Sequence, residues 1–235
     1  MIIQPGRRNG FWGLDPYTKL YLPFNGADGA AATEDLSRSA HAVTFNGNAA
    51  LDTAQKVFGA SSLLLDSNSS VSVEDHDDWN FGTGNFTVDC WLMWSALPGN
   101  TLSQYIGSHY ESANYYYDFF LSNSSGTYYL MMALKNGTVK GSYSLTVTPS
   151  LNTWYHVAFV RNGATGLIFF NGDSTGTIET VAFGANDVGN ISGAFHVGNA
   201  AGLIAGHNGW IDEFMVSKGI ARKTANFTPQ PIAYR

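Results

Sequence analysis

The feature that most constrains this chain is an alternation of apolar and polar side chains with a period of two residues. In residues 86–94, FTVDCWLMW, the side chains at positions 86, 88, 90, 92 and 94 share one face, and those at 87, 89, 91 and 93 share the other. Because successive side chains of a β-strand point to opposite faces, this spacing predicts a strand with one face in the core. Cys90, the lone cysteine, falls on that face and is predicted to be a core residue.

Similar short runs, rich in Val, Ile, Thr and aromatic residues, recur along the 235 residues. Asn-Gly pairs at 136–137, 162–163 and 171–172 follow such runs, and this pair supplies the positive φ angles of a type I′ hairpin turn. The second pair is expected in a hairpin loop slightly longer than two residues, and only residues 221–227 favour a short helical turn. The predicted strands are 20–24, 61–65, 69–73, 86–94, 115–121, 128–134, 138–147, 154–160, 167–170, 195–197 and 210–216.

No linker rich in proline or serine divides the chain, and all-β sandwiches of this length fold as one unit. The sequence therefore predicts an irregular N-terminal arm at residues 1–13 and a single all-β domain over residues 14–235.

Composition restricts the partners. The chain has 18 acidic and 12 basic residues, a net charge of −6, with no basic patch, which argues against nucleic acid as a partner. The longest uninterrupted apolar runs are four or five residues, far short of the about 20 needed by a membrane-spanning helix, so membrane insertion is excluded. No apolar segment follows Arg7 and Arg8, so no Sec-type signal peptide is visible.

Five segments in register resemble the laminin-G-like family of the concanavalin A-like lectin/glucanase superfamily. The resemblance extends from about residue 14 to residue 234 and implies two antiparallel sheets packed face to face as a jelly-roll β-sandwich. Such domains appear in secreted adhesins, on polysaccharide-degrading enzymes and in bacteriophage virion proteins, which implies an extracellular or virion-associated protein. The segments are LYLPFNG at 20–26, DWNFGTGNFTV at 78–88 with Cys90-Trp91, NTWYHVA at 152–158, GWIDEFMVSKG at 209–219 and ANFTP at 225–229.

The resemblance also implies a structural calcium ion. In many relatives an acidic residue of the first loop meets the aspartate of the motif that here reads GWIDE, which places the matching ligands at Asp35 and Asp212. Asn25 and Asp28 lie in the same first loop, and Asn25 stands where many relatives have aspartate. Calcium takes six to eight oxygen ligands, which carboxylates and loop carbonyls can supply. Its expected role is to fasten the N-terminal loop to the last strand.

The best candidate for a ligand surface is the tyrosine-rich stretch 104–118, in which no strand is predicted before residue 115. Tyrosine offers a flat apolar face to a sugar ring and a hydroxyl for hydrogen bonding. The alternative is that these rings cap the core or form a subunit interface, where tyrosine is also enriched. The predicted ligand-binding residues are Tyr105, His109, Tyr110, Tyr115 and Tyr117.

The acidic run at residues 74–78 raises the alternative of an enzyme. Glycosidases use two carboxylates projected from a rigid strand, whereas Asp75 and Asp77 alternate in an expected loop, and the Glu-x-Asp-x-x-Glu pattern of jelly-roll glucanases is absent. His156 is expected to be a packed histidine. The sequence therefore predicts no catalysis.

The leading hypothesis is a non-catalytic carbohydrate-binding or structural interaction module, with a phage virion or tail as one setting. Its partners would be a glycan or neighbouring subunits. A diverged glucanase or lyase and a purely structural homo-oligomer are the alternatives.

Overall fold

A computed structural model describes residues 15–202 and 205–233, which form β-strands, turns and one 3-10 helix at Asp77–Trp79. The predicted arm at 1–13 lies outside the described residues. The strands are β1 Thr18–Leu22, β2 Val43–Asn46, β3 Ala50–Asp52, β4 Ser62–Leu65, β5 Ser70–Val73, β6 Phe86–Trp94, β7 Ser103–Ser112, β8 Tyr115–Ser124, β9 Thr127–Asn136, β10 Thr138–Val147, β11 Trp154–Asn162, β12 Thr165–Phe170, β13 Ile178–Val181, β14 Phe195–Val197 and β15 Gly209–Lys218.

These strands pair into two antiparallel sheets. The seven-stranded sheet has the order β12-β11-β6-β15-β4-β3, and β1 also pairs with β15. The eight-stranded sheet has the order β13-β10-β9-β8-β7-β14-β5-β2. The predicted all-β, two-sheet jelly-roll sandwich is confirmed.

The core lies between the two sheets. From the seven-stranded sheet, β6 contributes Phe86, Val88, Cys90, Leu92 and Trp94, as the alternation predicts. Strands of the eight-stranded sheet also contribute alternate residues to the core, and Tyr117, Phe119 and Leu121 of β8 belong to the same apolar cluster. Cys90 is a free thiol and is 1% exposed, and burial raises its pKa well above the ordinary value.

The second face of the seven-stranded sheet is also covered over part of its area. Ala158, Val160 and Phe169 form a small buried cluster there, packed against Ala221 and Phe227 of the C-terminal segment. The short helical turn expected at 221–227 is not formed, because this segment runs as an irregular strip over the sheet.

The predicted type I′ backbone is present at one of the three Asn-Gly pairs, because at 136–137 and 162–163 only the glycine has positive φ. Asn171 and Gly172 both have positive φ, 50° and 81°, between the bridged residues Phe170 and Asp173. In the β11–β12 hairpin Asn162 pairs with Thr165, so the loop is two residues long rather than slightly longer.

Four strands that the sequence did not predict are β2, β3, β7 and β13. The alternation of β7 is interrupted by register shifts between Tyr105 and Gly107 and between Tyr110 and Ser112, which hides its period. β3 has only three residues, and three of the four residues of β13 are exposed, so neither shows a buried stripe.

Candidate ligand-binding face

The outer face of the eight-stranded sheet carries aromatic side chains that the core does not use. Since Tyr117, Phe119 and Leu121 of β8 point into the core, Tyr116, Asp118 and Phe120 point to the other side. The same holds on β9, where Leu130, Met132 and Leu134 face inward. The sheet therefore presents a second, outward row of side chains from β7 to β10.

Two aromatic pairs lie across the junction of β7 and β8. Tyr110 is opposite Tyr116, with ring centroids 6.4 Å apart and planes inclined by 15°. Tyr105 is opposite Phe120, with centroids 5.4 Å apart. All four rings are half-buried, so each keeps part of its surface in contact with solvent. These four residues and Asp118 are called the aromatic face below.

Asp118 lies between the two pairs along β8. Its cross-strand neighbours are Ser108 on β7 and Ala133 on β9, and the Ser108 hydroxyl donates a 2.7 Å hydrogen bond to its Oδ1. The residue is only 6% exposed, and burial raises its pKa to about 7. Near neutral pH its carboxyl group is therefore divided between a protonated form that donates and an ionised form that accepts. Both forms suit a ligand rich in hydroxyl groups.

The same environment raises the pKa values of the neighbouring tyrosines. The pKa of the Tyr105 hydroxyl is raised to about 12, first by burial and then by the negative charge of Asp118. The pKa of Tyr116 is raised for the same two reasons. Both hydroxyls stay protonated at physiological pH and can act as hydrogen-bond donors as well as acceptors.

The surroundings of the aromatic face are polar and carry little charge. Lys135 is opposite Tyr116, Met131 is opposite Phe120, and His196 of β14 is opposite Ser108. Hydroxyl groups continue the outward rows on β10 and β5. They belong to Ser142, Ser144 and Thr146 on β10 and to Ser70 and Ser72 on β5.

The ligand-binding residues predicted from the sequence lie partly at the surface and partly in the core. Tyr105 and Tyr110 belong to the aromatic face, and Tyr115 lies at the exposed start of β8. Tyr117 and His109 are instead fully buried. The Tyr117 hydroxyl donates to the carbonyl of Gly189, and Nε2 of His109 lies 2.9 Å from the carbonyl of Gly193. Their inclusion in a surface set is corrected here, because their strand positions point into the sandwich.

Tyr116, Asp118 and Phe120 were not predicted. The signal that identifies them is the continuation of the inner face through Phe119 and Leu121, which fixes position 117 as inward and positions 116, 118 and 120 as outward.

The four residues predicted to hold calcium all accept hydrogen bonds from groups of the chain itself. Asp35 accepts from the backbone N–H groups of Tyr21, Ser37 and His41 and from the Ser37 hydroxyl, at 2.8–2.9 Å. Oδ2 of Asp212 accepts from the N–H groups of Val57 and Phe58, at 2.9 and 3.1 Å.

Asn25 and Asp28 contact the same loop as Asp212. Oδ1 of Asn25 accepts from the N–H of Ala60, and Oδ1 of Asp28 accepts from the N–H and hydroxyl of Thr53. Three of the four residues therefore accept hydrogen bonds from backbone N–H groups of residues 53–60, while Asp35 accepts from residues 21, 37 and 41. A calcium ion at these oxygens stays a prediction.

The acidic run does not form a carboxylate pair on a strand. Asp77 begins the 3-10 helix, and Oδ1 of Asp75 lies 3.6 Å from Nε2 of buried His109. Within residues 15–202 and 205–233, the group of at least three His, Cys, Asp or Glu residues close enough to share one ion is His41, His76 and Asp78.

Comparison with known families and structures agrees with this fold. The family model described as the concanavalin A-like lectin/glucanases superfamily matches residues 65–223. No curated protein matches the chain. The described residues contain no helix that is long and apolar enough to cross a membrane.

Solved structures with this fold include several binding domains. Domain 4 of AbnA, an extracellular arabinanase from Geobacillus stearothermophilus, was solved in complex with arabinotriose; it is 15% identical over 88% of this chain and 94% of its own, with a TM-score of 0.63. The binding domain of Paraclostridial Mosquitocidal Protein 1 is 16% identical over 87% of this chain and 49% of its own, with a TM-score of 0.60. The binding domain of Botulinum neurotoxin DC, in complex with SialylT, is 16% identical over 87% and 49%, with a TM-score of 0.57. The chain thus spans about half of each toxin binding domain.

Proposed function

Because the chain belongs to the concanavalin A-like lectin/glucanases superfamily, we propose that it is a non-catalytic carbohydrate-binding module that holds its ligand on the aromatic face. The observation that carries this proposal is the position of Asp118 between the pairs Tyr110–Tyr116 and Tyr105–Phe120. Apolar ring surfaces and a hydrogen-bonding carboxyl group stand side by side there, which is the mixed lining that polar ligands need.

The chemistry of a sugar fits this arrangement. The C–H face of a pyranose or furanose ring packs on an aromatic ring, and its hydroxyl groups reach donors and acceptors at the edge. Tyr116 and Phe120 are four residues apart on one strand, which corresponds to about 13 Å. That distance exceeds one sugar ring, so we infer that the ligand is an oligosaccharide that lies along β8.

The neighbours of Asp118 favour binding over hydrolysis. A glycosidase needs two carboxyl groups roughly 5–9.5 Å apart, whereas the residues opposite Asp118 are Ser108 and Ala133. The acidic residues Asp75 and Asp77, which the enzyme alternative relies on, lie in the segment after β5 and not on β8. This favours a carboxyl group that hydrogen-bonds a sugar hydroxyl.

A secreted or virion-associated setting is part of the proposal, since the arabinanase whose domain shares this fold is described as extracellular. The competing use of the aromatic face is contact with a neighbouring subunit, because exposed tyrosines are also enriched at interfaces. Light scattering separates these uses: a dimer that loses its association in Tyr116→Ala favours the subunit contact, and a monomer that binds sugar favours the module.

A glycan array identifies the ligand, and calorimetric titration of the strongest hit against variants tests the site. We expect Tyr116→Ala to weaken binding about tenfold, corresponding to about 1.4 kcal/mol. Tyr17→Ala is the matched control, because Tyr17 is 45% exposed and lies outside β7–β10. An array without hits, or release of reducing sugar from a bound polysaccharide, contradicts the proposal.

A further inference from the structure

We propose that His41, His76 and Asp78 form a second site, for a divalent transition-metal ion of the zinc type, with three protein ligands and one open position. One ligand atom from each residue lies within 4.8 Å of the other two. Two imidazoles and one carboxylate form a donor set that favours zinc or cobalt over calcium, which prefers a shell made of oxygens.

The distances are close to those of a tetrahedral site. Zinc–nitrogen and zinc–oxygen bonds of 2.0–2.2 Å place neighbouring tetrahedral ligands about 3.3–3.5 Å apart. Nε2 of His41 lies 3.1 Å from Oδ2 of Asp78, and Nδ1 of His76 lies 3.4 Å from the same oxygen. Only the separation of the two imidazoles needs to shorten, and His76, with its side chain 52% exposed, would give up its cap hydrogen bond to do so.

Two of the ligands are held in place by the fold. The backbone N–H of His41 donates to buried Asp35, and its ring lies 5.0 Å from that of Trp79, which is fully buried. The carboxylate of Asp78 accepts a 2.6 Å hydrogen bond from the Ser39 hydroxyl. Hydrogen-bonded outer groups of this kind orient metal ligands before the ion arrives.

The hydrogen-bond geometry of His76 also suits a ligand. Its Nδ1 accepts the backbone N–H of Asp78 at 3.1 Å, as the N-cap of the 3-10 helix. The lone pair of this nitrogen is engaged in that hydrogen bond, and a metal ion would replace the N–H of Asp78 as its partner. The exposed side of His76 leaves the remaining coordination position open to water.

Lys19 places a positive charge beside the proposed metal site. Its ammonium nitrogen lies 3.7 Å from Oδ1 of Asp78, while both imidazoles approach Oδ2. The ammonium group repels a metal cation bound beside it. Removal of this charge without loss of the apolar stem should tighten metal binding.

A metal ion here would join two segments that are distant in sequence. His41 precedes β2, and His76 and Asp78 follow β5. Because Val43 pairs with Val73, the ion would join the start of β2 to the end of β5 at the edge of the eight-stranded sheet. It would stabilise the fold independently of sugar binding on β7–β10.

Isothermal calorimetry of the full chain, treated with EDTA and dialysed, tests the site with zinc chloride and, in parallel, calcium chloride. We expect one zinc ion to bind per chain and calcium to give no heat at this site. Loss of zinc binding is expected in His41→Ala and in His76→Asn, which keeps an acceptor for the cap. Lys19→Met should bind zinc about tenfold more tightly. His196→Ala, a half-buried histidine on β14, is the control and should bind like the parent.

Cobalt substitution adds a readout that a misfolded variant cannot imitate, since four-coordinate cobalt absorbs strongly in the visible range. A parent chain that binds no zinc overturns the proposal. Zinc binding that persists in both His41→Ala and His76→Asn, with Lys19→Met unchanged, overturns it as well. Circular dichroism of each variant separates lost binding from lost folding.

Discussion

The hydroxyl of Ser108 donates a 2.7 Å hydrogen bond to Oδ1 of Asp118, from the position directly opposite on the neighbouring strand. This contact fixes a nearly buried carboxyl group between two pairs of aromatic rings on the outer face of the eight-stranded sheet. Burial of a carboxylate is unfavourable unless it is paired or hydrogen-bonded. Here the hydrogen bond from the Ser108 hydroxyl and partial protonation reduce this free-energy cost. The same arrangement leaves capacity for a ligand hydroxyl.

The raised pKa of Asp118 predicts a pH-dependent contribution to stability. The carboxyl has a pKa of about 7 in the folded chain against 3.8 for an unperturbed aspartate. Between these values the folded state holds a proton that the unfolded state has released, so the free energy of unfolding falls as pH rises from about 4 through about 7. Asp118→Asn cannot ionise, so its free energy of unfolding should not fall over this pH range. The variant should be more stable than the parent by up to about 4 kcal/mol at pH 8 and about as stable as the parent at pH 4.

Urea denaturation of both proteins from pH 4 to pH 8 measures the difference. Glu34→Gln serves as the control, because Glu34 is exposed and should leave the pH profile of the parent unchanged. Equal pH profiles for Asp118→Asn and the parent would show that the Asp118 carboxyl ionises normally.

The three adjacent tyrosines of β8 should behave differently toward a sugar. Tyr116→Ala should weaken binding, because its ring is part of the aromatic face, whereas Tyr115→Ala at the exposed end of the strand should have little effect. Tyr117→Phe should leave affinity unchanged and lower stability by about 1 kcal/mol, since its buried hydroxyl donates to a carbonyl. Affinities come from calorimetry, and thermal unfolding gives the stabilities. A large loss of affinity in Tyr115→Ala alone would favour the residues expected from the sequence.

Asp35 should contribute strongly to stability. It accepts four hydrogen bonds from residues 21, 37 and 41 while 6% exposed, so Asp35→Ala leaves buried donors unsatisfied and should cost about 2–4 kcal/mol. Asp28→Ala, which removes two exposed hydrogen bonds to Thr53, should cost less than about 1 kcal/mol.

Denaturation in calcium and in EDTA tests the calcium prediction with the same proteins. If hydrogen bonds alone account for Asp35, the loss in Asp35→Ala is equal in both buffers. A larger loss in calcium, together with a lower melting temperature of the parent in EDTA, would show that calcium binds there.

Cys90 should be unreactive in the folded chain. The thiol is 1% exposed on β6 between the sheets, and its pKa is raised by burial, so the reactive thiolate is both scarce and inaccessible. Ellman's reagent should detect no thiol in native buffer and one equivalent in guanidinium chloride. Rapid reaction under native conditions would contradict the placement of β6 at the centre of the sandwich.

The fold was predictable from the sequence because apolar residues recur at alternate positions in short runs, as at 86, 88, 90, 92 and 94 of β6, whose opposite face is also largely buried. β7 was missed for the opposite reason, since its two register shifts break that period. Tyr117 was expected at a ligand surface and is buried instead, because a tyrosine fits both a core and a surface.

Contacts between distant residues could not be predicted. Asp212 accepts hydrogen bonds from the N–H groups of Val57 and Phe58, which are 155 and 154 positions earlier in the sequence. The sequence alone does not show that these N–H groups face its carboxylate. The histidines of the proposed metal cluster are likewise separated in sequence by the four strands β2 to β5. The sequence could predict neither set, because pairing of strands brings each one together.

Mapping of backbone amide chemical shifts by NMR, during titration with the strongest glycan-array hit, tests the binding face most directly. The account predicts that the largest shifts cluster on β7, β8 and β9 around Ser108, Tyr116, Asp118 and Phe120, and that they vanish in Tyr116→Ala while the rest of the spectrum is retained. Shifts confined to the loops at the ends of the sandwich or to the seven-stranded sheet would contradict it.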